Sequence, residues 1–225
     1  MTALGLAVGL SGCATAANNG DTANSPAPTS STSDRAPTPT QTESPAPSPT
    51  PPALTGAEQM DLDQQLVRAA KNSKPDLVRE LIAAGGNVNA KDSIQDSAYL
   101  YAGAEGFNEV LAITLENGAD VASTNRYGGT ALIPASEHGH LQTIRMLIAA
   151  RVPVNHVNNL GWTALQEAIL LNDGGETQQQ AVMLLLEAGA DPGIRDREGR
   201  TALDNAERLG FAAIAEQIHA SGFKG

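Results

Sequence analysis

The sequence predicts an all-α solenoid of about five helix-turn-helix repeats with β-hairpin loops, preceded by a disordered linker. The first observation is a hydroxyl residue that recurs at intervals of 33, 33 and 38 positions, at Ser97, Thr130, Thr163 and Thr201. The second is a set of positions with the same three intervals, Gly85, Gly118, Arg151 and Gly189. The third is a run of apolar residues at helical spacing before members of the second set. Two independent markers that share their intervals indicate stacked structural repeats.

Residues 1–13 have the pattern of a bacterial secretory signal that ends in a lipidated cysteine. The apolar block at residues 3–10 is far shorter than the roughly 20 residues that span a bilayer as a helix, but it suits the core of a signal peptide. The motif LSGC follows, and it resembles the bacterial lipobox. Cys13 is the single cysteine of the chain. We therefore interpret it as a lipid-attachment site that anchors the protein to a membrane, and not as a catalyst.

One part of a signal peptide is missing. A basic segment should precede the apolar block, but only Met1 and Thr2 do so. We therefore expect the true start codon to lie upstream. The alternative interpretation is an intracellular protein with a disordered N-terminus in which LSGC occurs by chance.

Residues 14–56 form the predicted linker. They contain nine of the 13 prolines, among Ser, Thr and Ala, and almost no large apolar side chain. Such a segment cannot offset the entropy cost of ordering its backbone. The net charge of the whole chain is −11, of which the linker contributes −2, so residues 57–225 carry −9. This negative field would repel a phosphate backbone, and we expect no binding to nucleic acid.

Residues 57–225 contain the repeats, and each position in a repeat has a physical role. The hydroxyl residue can accept a hydrogen bond at the N-terminus of the first helix. Gly106, Gly139 and Gly210 allow a tight turn between the two helices, and Ser73 replaces glycine there in the first repeat. The glycine after the second helix supplies a left-handed C-cap, and we expect Arg151 to adopt that conformation with modest strain. The outer two repeats act as caps of the stack.

The repeat sequence resembles the ankyrin repeat over about 165 residues. The resemblance rests on the pattern G-x-T-x-L in GGTALIPASEHGH, GWTALQEAIL and GRTALDNAER, on the glycine in mid-repeat and on the closing G-A-D. The segment NNLGWTALQEAILLNDGG is also similar to bacterial ankyrin proteins of the cell envelope. The family tetrad T-P-L-H is T-A-L-I, T-A-L-Q and T-A-L-D here, so its histidine hydrogen bonds are missing. Pro134 lies in the first turn or so of its helix, where a proline costs little.

The residues give no support for an enzyme, a metal or a cofactor. The single cysteine excludes an intramolecular disulfide and a multi-cysteine metal site. No two of the four histidines are spaced i, i+4, and the motifs GxSxG, HExxH, GxGxxG and the P-loop are absent from the sequence. We therefore expect a non-catalytic protein without a cofactor.

The resemblance implies that fingers and first helices line a concave face that binds another protein. Its candidate residues are Tyr127, Leu160, Trp162 and Arg200 near the fingertips, Tyr101, Pro134, Glu167 and Asn205 four residues after each cap, and His138 one turn further on. Aromatic residues are favoured interface anchors. For the tyrosines and Trp162, packing between fingers is the alternative role. For Glu167 it is a favourable interaction with the helix dipole. The insertion at residues 172–180 is a second candidate surface.

The expected function is a lipid-anchored, extracytoplasmic ankyrin scaffold that binds another protein as a monomer. One alternative is a secreted or intracellular ankyrin factor that acts on a host or cytosolic protein. Another, implied by the resemblance alone, is a stabiliser of an oxidative-stress enzyme such as catalase.

Overall fold

The computed structural model describes residues 54–225. The predictions for the signal segment, for Cys13 and for the linker up to residue 53 therefore lie outside the described residues. Within 54–225 the elements are ten helices, α1 Gly56–Lys71, α2 Pro75–Ala83, α3 Ala98–Glu105, α4 Asn108–Glu116, α5 Leu132–Glu137, α6 Leu141–Ala149, α7 Ala164–Leu170, α8 Glu176–Glu187, α9 Ala202–Leu209 and α10 Ala212–Ala220. None of these helices has both the length and the apolar character needed to cross a membrane.

The helices form five pairs that stack in sequence order, which confirms the predicted solenoid. Each first helix contacts the first helix of the next pair, and each second helix contacts the second helix of the next pair. Small and aliphatic residues fill the space between the pairs. Gly103 shows how close the helices come, because a Cβ at this position would lie 2.7 Å from the Cβ of Ala131.

Three of the four predicted N-caps are confirmed. Ser97, Thr163 and Thr201 each accept a hydrogen bond from the backbone N–H three residues later, at 3.2, 3.2 and 3.1 Å. At Thr163 and Thr201 the side chain of the third helical residue reaches back to the cap, so the Gln and Asp of T-A-L-Q and T-A-L-D complete capping boxes. Thr55 caps α1 in the same way.

The fourth N-cap prediction is wrong, because Thr130 does not cap its helix. In the other first helices the cap carbonyl accepts from the N–H four residues later, as Thr163 does from Glu167 at 3.0 Å. Pro134 has no N–H to give to the Thr130 carbonyl. The N–H of Ile133 donates to that carbonyl instead, at 3.2 Å. The buried hydroxyl of Thr130 therefore has no hydrogen-bond partner among the described residues, and α5 begins only at Leu132.

The predicted left-handed positions are confirmed. The glycines of the turns and of the C-caps all have positive φ, between 65° and 101°. Ser73 and Arg151 adopt the same region, with φ of 49° and 63°, although a side chain disfavours it.

The fingers are tight turns, and the described residues contain no β-strand at the places where hairpins were expected. Each finger opens with an aspartate or asparagine whose side-chain oxygen accepts from two backbone N–H groups. At Asn158 these are the N–H groups of Leu160 and Trp162, at 2.9 and 3.0 Å. The equivalent residues are Asp92, Asn125 and Asp196. Such Asx turns fix the fingertip without a strand ladder.

The insertion predicted as a second surface is partly packed into the stack. The amides of Asn172 and Gln178 both donate to the backbone carbonyl of Glu137, at 2.9 and 3.0 Å. Gln178 is buried. The insertion therefore braces repeat four against repeat three.

Candidate binding groove

A groove of about 390 Å³ lies on the face formed by the first helices and fingers of repeats two to four. We call it the central groove. Residues of α3, α5 and α7 line one part of it, and the finger turns that precede α5 and α7 line the other.

Equivalent positions of successive repeats line the central groove. Tyr101, Pro134 and Glu167 are 33 positions apart and follow one another across it. At the fingertips, Tyr127 and Leu160 occupy equivalent positions. The repeat that builds the fold therefore also arranges the groove, and chemical differences between repeats decide what the groove can bind.

Six of the nine candidate binding residues line this groove: Tyr101, Tyr127, Pro134, His138, Leu160 and Glu167. Tyr127 and Leu160 have 54% and 45% of their surfaces exposed, and His138 is exposed as well. The guanidinium of Arg126 lies 4.8 Å from the ring centre of Tyr127. Tyr101 is half-buried, and its ring lies 6.1 Å from that of Phe107. The groove thus presents an apolar, aromatic rim.

The other three candidates do not line the groove. Trp162 is half-buried, and its indole Nε1 is enclosed without a hydrogen-bond partner among the described residues. Arg200 is held by Asp196 and Glu198, at 3.0 and 2.7 Å. The two ion pairs give Arg200 a structural role in its own finger.

Two candidate binding residues, Asn205 and Glu167, are buried, although binding a partner on the concave face requires exposed side chains. Asn205 is fully buried, and its amide donates to Asp196 Oδ2 at 2.9 Å. Glu167 is only 5% exposed, and its Oε1 accepts a hydrogen bond of 2.6 Å from the amide of Asn158. In both cases the finger nine residues earlier folds over the helix start, which repeat alignment alone does not show. Glu167 nevertheless stays on the groove wall.

The environment of Glu167 disfavours its charge. Burial raises the pKa of this carboxyl to about 7, and the nearby carboxylate of Glu137 adds to the effect. The hydrogen bond from Asn158 and the nearby His138 act in the opposite direction. Glu167 therefore changes charge near neutral pH, unlike an ordinary glutamate.

A second charged cluster closes the end of the groove near repeat two. Asp96 lies 3.1 Å from Lys71 Nζ and 3.3 Å from Arg126 Nη1. Lys71 also lies 2.6 Å from Asp92. Burial lowers the pKa of the Lys71 amine, but the hydrogen bonds and charges of Asp92 and Asp96 have the larger combined effect, so the pKa is raised. Its two cations balance its two aspartates, and the cluster ties α1 to the fingers that precede α3 and α5.

Sequence reasoning missed two residues that shape the groove, Asn158 and Glu137. A usable signal was present for Asn158. Aspartate or asparagine recurs at Asp92, Asn125, Asn158 and Asp196, with the same intervals of 33, 33 and 38 as the caps.

Residues 54–225 contain no cluster of three or more His, Cys, Asp or Glu side chains arranged to hold a metal ion.

Comparison with known proteins agrees with this architecture. The family model described as ankyrin repeats (3 copies) matches residues 66–156 and 99–196. The putative ankyrin repeat protein YahD of Escherichia coli K12 is 41% identical over 146 residues, which are 64% of this chain and 73% of YahD.

Two crystal structures are similar as well. An ankyrin repeat domain from Acinetobacter baumannii AYE is 55% identical with a TM-score of 0.69, and the match covers 71% of this chain and 81% of that one. The ankyrin repeat protein EF0377 is 42% identical with a TM-score of 0.66, over 68% of this chain and 78% of that one.

Proposed function

Because this chain belongs to the ankyrin repeat family, we propose that it is a non-catalytic scaffold that binds another protein through its central groove. Ankyrin repeats are modules for protein–protein interaction. The observation that carries the assignment to this groove is the exposure of Tyr127 and Leu160 on ordered fingertips. Exposed aromatic and aliphatic groups next to polar ones are typical anchors of protein interfaces.

We also propose that the scaffold acts outside the cytoplasm, tethered through a lipid on Cys13. The support is the sequence LSGC after an apolar block, followed by the Pro-rich segment. More than one acyl chain on that cysteine would give durable anchoring. The long segment between Cys13 and α1 would let the repeats reach partners tens of ångströms from the membrane, by an order-of-magnitude estimate.

Affinity capture with the full chain tests the binding function. Wild type is compared with the double variant Tyr127→Ala/Leu160→Ala, using envelope extract from the native cells. The control is Met60→Ala/Met183→Ala, which removes two exposed apolar side chains away from the groove. We expect a protein that wild type and the control retain and the groove variant loses. If wild type, the groove variant and the control all retain the same proteins equally, the central groove is not the binding surface. Recovery of catalase or a related enzyme would support the stabiliser alternative.

Palmitate labelling of the native cells tests the location. We expect lipid incorporation into wild type and none into Cys13→Ala. No incorporation into wild type would favour the secreted or intracellular alternative.

A further inference from the structure

Three acidic side chains among the described residues are buried, and they differ in whether a nearby cation compensates their charge. Asp96, Asp196 and Glu167 are only 7%, 6% and 5% exposed. Burial of a carboxylate is costly unless a cation or several hydrogen bonds compensate it. Asp96 has Lys71 and Arg126, as described above. Asp196 has Arg200 Nε at 3.0 Å.

Glu167 is the exception. No Lys, Arg or His nitrogen of residues 54–225 lies within 4.0 Å of its carboxylate. Its Oε1 is occupied by Asn158 Nδ2, and its Oε2 receives no hydrogen bond from the described residues. Glu167 lies on the groove wall, so a cationic group bound in the groove can approach its carboxylate.

Two further glutamates add negative charge to the groove beside Glu167. Glu137 and Glu105 line the same groove, and neither forms an ion pair with the described residues. His138 Nδ1 lies 2.9 Å from the carbonyl oxygen of Ala104. A carbonyl only accepts, so Nδ1 carries a proton and donates to it. Arg126 is occupied by Asp96 and by the ring of Tyr127.

The shape of the groove indicates which kind of cation fits. The described residues do not gather the three ligands that a metal ion needs. Beside the carboxylates stand the exposed apolar groups of Tyr127, Leu160 and Leu171. A lysine or arginine side chain has an apolar stem and a charged end, and so it matches both features at once.

We propose that the central groove binds a segment of its partner protein that places a lysine or arginine side chain against Glu167 and Glu137. Apolar residues of the same segment then cover Tyr127 and Leu160. The inference rests on the proposed function and adds the chemistry of the partner. The folded part of the chain, at −9, attracts such a segment at long range.

Selection from a random dodecapeptide phage library on the full chain at pH 8 tests the inference. A selected peptide is then synthesised, together with a variant in which its basic residue is replaced by Gln. Dissociation constants are measured by fluorescence anisotropy for wild type, Glu167→Gln, Glu137→Gln and Tyr127→Ala/Leu160→Ala. Glu187→Gln removes an exposed charge outside the groove and is the matched control. Gln at 167 still accepts the bond from Asn158, so this variant keeps the local structure.

We expect selected peptides to be enriched in Lys or Arg. Glu167→Gln and the peptide variant should each weaken binding about tenfold or more, and Glu187→Gln should not change it. Peptides that depend on Tyr127 and Leu160 but show no basic enrichment and no response to Glu167→Gln would overturn this inference and leave the proposed function intact. If no peptide binds, or if binding ignores both Tyr127/Leu160 and Glu167, the inference and the groove-binding function both fail.

Discussion

The side-chain amide of Asn158 donates a hydrogen bond of 2.6 Å to the carboxylate of Glu167, nine residues later. In the next repeat the same pair of positions is reversed, and the amide of Asn205 donates to the carboxylate of Asp196 at 2.9 Å. Both arrangements bind a finger to the helix that follows it. They differ in charge compensation, because Arg200 neutralises Asp196 and no described cation neutralises Glu167. The stack thus keeps one geometry, and of its three buried carboxylates only that of Glu167, on the groove wall, has no described cation beside it.

The first prediction concerns the cost of this carboxylate to folding. Burial raises the pKa of Glu167 from 4.5 to about 7. A raised carboxyl pKa lowers the free energy of unfolding as pH increases through that range. Glu167→Gln should therefore leave stability within about 1 kcal/mol of wild type near pH 5 and increase it by about 3 kcal/mol at pH 8. Urea unfolding followed by the fluorescence of Trp162, the single tryptophan, measures the difference.

Glu187→Gln is the control for this prediction, since Glu187 is exposed. Its effect on the free energy of unfolding should be within about 0.5 kcal/mol at both pH values. If Glu167→Gln raises the free energy of unfolding by the same amount at pH 5 and pH 8, then ionisation of Glu167 does not destabilise the fold and the prediction is wrong.

The second prediction compares two threonines at equivalent cap positions. Thr163 and Gln166 form a reciprocal capping box with hydrogen bonds of 3.2 Å. Thr163→Val should lower the free energy of unfolding by about 1–2 kcal/mol. Thr130→Val keeps the shape and removes a hydroxyl that has no described partner, so it should change stability by less than about 0.5 kcal/mol or increase it. Urea unfolding of both variants checks this, and equal losses would mean that Thr130 caps α5 in solution.

The third prediction concerns Arg151, which occupies a glycine position with φ of 63°. Arg151→Gly should relieve backbone strain and stabilise the protein by about 0.5–1 kcal/mol, after the larger entropy of glycine in the unfolded chain is included. The reciprocal change is Gly189→Ala, at φ of 88°, where a Cβ would meet nothing within 4 Å. It should cost about 1 kcal/mol for conformational reasons alone. Thermal unfolding of both variants measures this, and shifts of the same sign would contradict the assignment.

The sequence predicted the repeat, its five copies and most of its capping because these depend on local chemistry at a fixed interval. A hydroxyl before a helix and a glycine after one act within a few residues of themselves. Tyr101, Tyr127 and Leu160 line one groove for a related reason, since equivalent positions of stacked repeats share a face.

The failures came from contacts between segments. The free hydroxyl of Thr130 depends on which N–H reaches which carbonyl once Pro134 is present, and a sequence pattern does not show that competition. The burial of Glu167 and Asn205 depends on fingers that close over the helix start. The uncompensated charge of Glu167 is visible only in the structure, because it depends on the absence of any Lys, Arg or His nitrogen of residues 54–225 within 4.0 Å of the carboxylate.

The last prediction uses the finger position itself. In Asn158→Asp, a carboxylate oxygen replaces the amide that lies 2.6 Å from Glu167 Oε1, and two carboxyl groups can stay this close only if they share a proton. The free energy of unfolding should fall by about 2–4 kcal/mol at pH 8 and by clearly less at pH 5.

Asn125→Asp is the matched control, because the Asn125 oxygen accepts from Tyr127 and Gly129 and its amide makes no described bond. Aspartate already occupies this position at Asp92 and Asp196, so Asn125→Asp should stay within about 0.5 kcal/mol of wild type. Urea unfolding of both variants at the two pH values decides it. Equal losses in both variants would mean that the turn rejects aspartate as such, whereas a loss confined to Asn158→Asp and growing with pH assigns the effect to the Glu167 carboxylate.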